Sequence, residues 1–159
     1  MSSIRLIHAS CVDQNVDAVV NAANKHLIAG SGLCGAIFAK AGSRELTEAC
    51  KAYKTPLQDG DAVITKSFGI RNAKAIIHAA GPNFAYTPDA FNALCLAYYN
   101  SLIVLKENGY HSIAFPLISS GIYGGALENP VDVSTTQCLK AYHLFLKTHP
   151  DPVLFIAQE

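Results

Sequence analysis

Asp17-Ala18-Val19-Val20-Asn21 is a short apolar run closed at each end by a polar residue, and a glycine-rich stretch, Ala29-Gly30-Ser31-Gly32-Leu33-Cys34-Gly35, follows soon after. An uninterrupted run of this length, without polar alternation, is what a strand covered on both faces requires. Both faces are covered when helices sandwich a parallel sheet. Residues 4–8, 61–66 (DAVITK), 75–80 (AIIHAA), 112–117 (SIAFPL) and 153–157 (VLFIA) read as further strands of the same kind. Helical patterns lie between them. Residues 36–41 form a short helix ended by Gly42, and Ser43 can cap a second helix over 44–53, with Glu45 well placed in its first turn. Thr87-Pro88 reads as a cap and first helical residue; Phe91, Leu94, Tyr98, Leu102 and Leu105 then recur at spacings of three and four until Gly109. Asn129-Pro130 starts a helix to about residue 147 with Val131, Cys138, Tyr142 and Phe145 on its inner stripe. The alternation predicts a three-layer α/β/α sandwich with a mostly parallel sheet, one domain over 1–159.

Composition agrees and excludes several classes of function. Half of the 159 residues are hydrophobic and 15% are charged, which rules out a disordered chain. Twelve basic residues offset twelve acidic ones, so the charge excess of a backbone-gripping nucleic-acid binder is missing. No apolar run reaches the ~18 residues of a membrane span. The N-terminal MSSIRLIHAS lacks the apolar core and cleavage site of a secretory signal. Cys11, Cys34, Cys50, Cys95 and Cys138 are odd in number and include no CxxC pair, so neither a disulfide framework nor a zinc site is expected. A cytoplasmic protein fits best. A monomer is expected, with no cofactor and no metal.

The chemistry points to the carboxyl ends of the strands, where open α/β sheets bind ligands. Three connections leave such ends: residues 22–35, 81–87 and 119–125. The first and third are glycine-rich, and each leads into a helix or helical turn. Glycine allows close backbone approach, and a helix start offers unpaired N–H groups with a partial positive charge. Together they can hold an anion without Lys or Arg, and two such loops suit a diphosphate. The string Gly30–Gly35 also matches GxGxxG, but residues 22–29 separate it from the strand. The acidic partner expected about 20 positions on is missing from a strand end, since Glu48 lies in a helix and Asp59 and Asp61 precede a strand. A nicotinamide dehydrogenase is therefore disfavoured. His78 sits inside a strand and reads as a satisfied core histidine, and Asn21 as a structural tie.

Four ordered motifs give a specific resemblance. Val16-Asp17-Ala18-Val19-Val20-Asn21-Ala22-Ala23-Asn24 resembles the hallmark of macro domains, which bind ADP-ribose. The glycine loop with GAIFAKAG (35–42) is similar to the family's next loop and helix, Ile76-Ile77-His78-Ala79-Ala80-Gly81-Pro82 to its central strand, and Phe115 through Gly124 to its second phosphate loop. The resemblance implies that amides of Gly30, Ser31, Gly32 and Leu33, and of Ser119, Ser120, Gly121, Ile122 and Tyr123, wrap the diphosphate. It implies that Asn24 orients the distal ribose and acts in catalysis, and that Tyr123 packs against that sugar. Ala22 and Cys34 count with these ligand-binding residues.

Two departures stand out. Ala9-Ser10-Cys11 replaces the family's Gly-Asp-Ile, so Ser10 offers a weaker acceptor to the adenine and Cys11 a backbone contact. One hydrolase branch has Val-Asp-Gly where this chain has Leu33-Cys34-Gly35, and His where Phe38 stands. Its Asp positions a water, which Cys34 cannot do as a carboxylate; a packing role for Cys34 is expected rather than a nucleophilic one. The activity implied is ADP-ribose binding with removal of mono-ADP-ribose from proteins or cleavage of related ADP-ribose esters. The alternative is a non-catalytic reader. The partner is ADP-ribose or an ADP-ribosylated protein, not nucleic acid or a membrane.

Overall fold

The run Ala18–Ala23 forms strand β2, and Ala75–Ala80 forms β4; the two pair in parallel from Ala18 opposite Ala75 to Ala23 opposite Ala80. The computed structural model describes residues 3–150 and, as backbone, 154–158. The remaining strands are β1 (Ser3–Ile7), β3 (Ala62–Lys66), β5 (Ser112–Phe115) and β6 (Leu154–Gln158). They form one six-stranded sheet in the order β1-β6-β5-β2-β4-β3, parallel throughout except for β3 against β4. Helices α1 (Gly32–Ala41), α2 (Ser43–Cys50), α3 (Ala90–Glu107) and α4 (Pro130–Thr148) cover it.

Side-chain alternation along the central strands splits the core in two. Ala18, Val20, Ile77 and Phe115 pack with Leu94, Tyr98, Leu102, Cys138 and Phe145 of α3 and α4. Val19, Ile76, Ala80 and Ala114 pack with Ile37, Phe38 and Leu46 of α1 and α2. Ile76 and Ile77 thus bury on opposite faces, each contributing about 2 kcal/mol of transfer energy. This is the expected three-layer sandwich. None of the helices among the described residues is long and apolar enough to cross a membrane.

Several local expectations are corrected. The first helix starts at Gly32, inside the glycine-rich stretch, rather than at 36. Gly42, not Ser43, is the N-cap of α2, with a φ of 107° that a side chain disfavours. The helix expected from Thr87-Pro88 begins at Ala90, because Asp89 takes a left-handed conformation. Thr87 instead donates its hydroxyl to Asp59 Oδ2 at 2.7 Å. Phe91 is half exposed and stacks edge-on with Phe84 at 5.2 Å, and Val131 is half exposed rather than on the inner stripe of α4. Strand β5 ends at Phe115, since Pro116 has no N–H to continue the ladder. Val153, the expected start of the last strand, lies outside the described residues.

Candidate functional site

At the carboxyl ends of β2, β4 and β5 the chain encloses a cavity of about 700 Å³. It brings together Ser10, Ala22, Asn24, Gly30, Ser31, Gly32, Leu33 and Cys34 with Ser119, Ser120, Gly121, Ile122 and Tyr123. Cys11 is not among its lining. Its side chain is buried in the layer behind, where the thiol donates to Val20 O at 3.6 Å, and burial pushes its pKa up to about 12. Gly81, Ile118 and Val131 also line the cavity but were not counted among the expected ligand-binding residues. Gly81 heads the 81–87 connection and Ile118 falls inside the second-loop motif, whereas nothing local marks Val131. No Lys, Arg, Asp or Glu among the described residues lines the cavity. The described residues also contain no cluster of three metal-ligating side chains.

Backbone geometry supplies what the side chains lack. Among the described residues, the N–H groups of Gly30, Ser31, Gly32, Leu33 and Cys34 find no protein acceptor; the first bond of α1 is Gly35 N–H to Ser31 O at 3.3 Å. Four or more such orphan donors are normal at a helix start, and they favour an anion. Gly35 must be glycine, because a Cβ there would strike the carbonyl oxygen of Gly30. In the second loop the N–H groups of Ser119, Gly121, Ile122 and Tyr123 likewise have no acceptor among the described residues. That loop is pinned to residues 81–87 by Ser119 Oγ donating to Pro82 O (2.6 Å) and Phe84 N–H donating to Tyr123 O (2.8 Å).

Asn24 is committed within its own loop. Its Nδ2 donates to Ile28 O at 2.7 Å, and its Oδ1 accepts from the N–H groups of His26 (3.1 Å) and Ile28 (3.2 Å). One N–H of the amide is left for a ligand. Cys34 reaches the same carbonyl: its thiol donates to Ile28 O at 3.6 Å and accepts from Asn21 Nδ2 at 3.6 Å. The thiol is a hydrogen-bonded packing group, as the sequence suggested.

A buried polar chain runs behind it. Asn21 and His78 are register partners on β2 and β4, so they share a sheet face, and Asn21 Nδ2 donates to His78 Nδ1 at 3.1 Å. Nδ1 therefore accepts, and Nε2–H donates to Thr65 Oγ1 at 3.0 Å, which defines the neutral tautomer. Asn21 Oδ1 is buried without a partner; the opposite amide orientation would strand two N–H groups in its place. His78 and Asn21 are the core ties expected of them. Burial holds the His78 imidazole down to about 4. The unfolded chain, with a histidine pKa near 6.5, takes up this proton first, so stability is complete above about pH 6.5 and falls as pH drops toward 4. The loss from this group amounts to about 3 kcal/mol across that window. Urea unfolding at pH 7.5, 6 and 4.5 should show a falling midpoint; a midpoint constant from 7.5 to 4.5 would contradict the neutral buried histidine.

The comparisons with known proteins agree with this geometry. The macro-domain family model matches residues 20–133. An O-acetyl-ADP-ribose deacetylase of Enterobacter cloacae is 39% identical over 158 residues, covering 96% of this chain and 85% of that protein. Among solved structures, the Oceanobacillus iheyensis macrodomain with ADP superposes with a TM-score of 0.85 at 29% identity, over 99% of this chain and 84% of that one. The Trypanosoma brucei macrodomain in complex with ADP-ribose gives a TM-score of 0.81 at 31% identity, over 98% of this chain and 64% of that one. The chain belongs to the macro-domain family.

Proposed function

We propose that the cavity binds ADP-ribose, free or attached to protein, and that the chain hydrolyses mono-ADP-ribose from modified proteins or related ADP-ribose esters. The observation that carries this is the pairing of two loops whose N–H groups lack acceptors among the described residues, around a cavity that no charged side chain of those residues lines. Such a site neutralises a diphosphate by hydrogen bonds alone. The volume suits a nucleotide-sized ligand. The names and ligands of the relatives support the same assignment.

In the proposed reaction the remaining N–H of Asn24 fixes a hydroxyl of the distal ribose. With no carboxylate of the described residues lining the cavity, the attacking water is held by a phosphate of the ligand itself. Rate enhancement then comes from positioning and from charge stabilisation by the loop amides. The reaction as written draws on no cofactor.

The absence of a lining carboxylate among the described residues, with the Cys34 thiol committed to Ile28 O, also favours a second reading: a module that recognises ADP-ribose without turning it over. Calorimetric titration with ADP-ribose, with AMP as competitor, tests both readings. Incubation with a mono-ADP-ribosylated protein then separates them. Binding with release of ADP-ribose supports the hydrolase, binding without release supports the reader, and no binding overturns both.

A further inference from the structure

The second loop is held from below by two hydroxyls that do not themselves line the cavity. Tyr98 on α3 and Ser134 on α4 are both fully buried. Ile118 N–H donates to the Tyr98 hydroxyl at 2.9 Å, and Ser134 Oγ donates to Ile118 O at 2.6 Å. Tyr98 and Ser134 lie 2.6 Å apart. Since the serine proton is given to Ile118 O, the tyrosine is the donor between them; Pro116 O, at 3.4 Å, is its poorer alternative. Residue 118 is thus fixed on both sides by a closed ring of three hydrogen bonds.

A trans peptide is planar, with its C=O and the following N–H pointing in opposite directions. Holding Ile118 O toward Ser134 therefore forces Ser119 N–H the other way. Ser119 lines the cavity, and its N–H has no acceptor among the described residues. The arrangement has a cost: Ser119 sits at φ 61°, a left-handed conformation that side chains disfavour. Rotation of the 118–119 peptide would relieve that strain, but it would swing a carbonyl oxygen to where the N–H now is.

We propose that Ser134, oriented by Tyr98, is a positioning residue that locks the Ile118–Ser119 peptide so that Ser119 N–H serves as a phosphate donor in the cavity. This rests on the reading of the cavity as a diphosphate site. In Ser134→Ala the peptide is free to turn, and the donor becomes an acceptor facing the anion. The protein would remain folded, because a small buried hydroxyl is lost without changing the packing volume much.

The test is NMR titration of the wild type, Ser134→Ala and Tyr98→Phe with ADP, inorganic pyrophosphate and adenosine. In the wild type, pyrophosphate should shift the Ser119 amide resonance downfield. Ser134→Ala should lose about tenfold or more in ADP affinity, a loss of the size of one charge-assisted hydrogen bond, with adenosine affinity unchanged. Tyr98→Phe should lose less, since Ser134 keeps its bond to Ile118 O. Equal losses for ADP and adenosine would show a merely structural role and overturn the proposal, as would unaltered ADP affinity in Ser134→Ala. A Ser119 amide that pyrophosphate leaves unmoved overturns it without any variant. If the wild type bound neither ADP nor pyrophosphate, the diphosphate reading itself would fail, and the proposal with it.

Discussion

Gly121→Val is expected to abolish ADP-ribose binding while leaving the fold intact. A Cβ placed at Gly121 meets no atom within 4 Å, so the first atom of any added side chain has open space in the unliganded protein. The position is nevertheless in the second loop, lines the cavity and carries one of the N–H groups without an acceptor. A branched side chain there fills the space a phosphate needs in order to reach that amide. Losing the amide and creating the overlap together should weaken binding by at least about 100-fold, or ~2.7 kcal/mol. Calorimetry with ADP-ribose, beside a thermal melt, reads both halves of the expectation. Wild-type affinity in a folded Gly121→Val protein would mean that the second loop does not approach the diphosphate.

Asn24→Ala should separate turnover from binding. In the proposed complex the diphosphate is held by backbone donors that this substitution leaves in place, whereas the ribose loses the one amide N–H that would orient it. Removal of a single preorganised donor of this kind typically costs about 100-fold or more in kcat. The dissociation constant should rise by no more than about tenfold, the part due to loosening of the turn that Asn24 closes around Ile28. Single-turnover release of ADP-ribose from a modified protein, compared with calorimetric affinity, gives the two numbers. Equal losses in both would remove Asn24 from the chemistry and leave it a loop tie.

The sheet was readable because β2 and β4 are covered on both faces and so present unbroken apolar runs, with Ala18, Val19 and Val20 all buried. The two glycine-rich loops were readable for a different reason. They depart in composition from everything around them, and close packing explains at least one case, where Gly35 lies against the Gly30 carbonyl. Other features depended on long-range partners. Thr87 looks like a helix cap, but its hydroxyl is taken by Asp59, which comes 28 positions earlier. Cys34 has meaning only beside Asn21, and Asn21 only beside His78 on the neighbouring strand. Ser134 falls four residues before Cys138 on the inner stripe of α4. A small polar residue on an apolar stripe was the signal for it, but its partners, Tyr98 and Ile118, could not be named from spacing. Cys11 follows the residue aligned with the family's adenine acceptor, yet the short turn at Cys11–Asp13 tucks its side chain into the core.

A crystal structure of the chain with ADP-ribose at saturating concentration is the most direct measurement. The diphosphate oxygens should lie about 3 Å from backbone nitrogens of both glycine loops, Gly30 to Cys34 on one side and Ser119 to Tyr123 on the other, with no Lys or Arg side chain in contact. An empty cavity, or a diphosphate bound elsewhere against basic side chains, would contradict it.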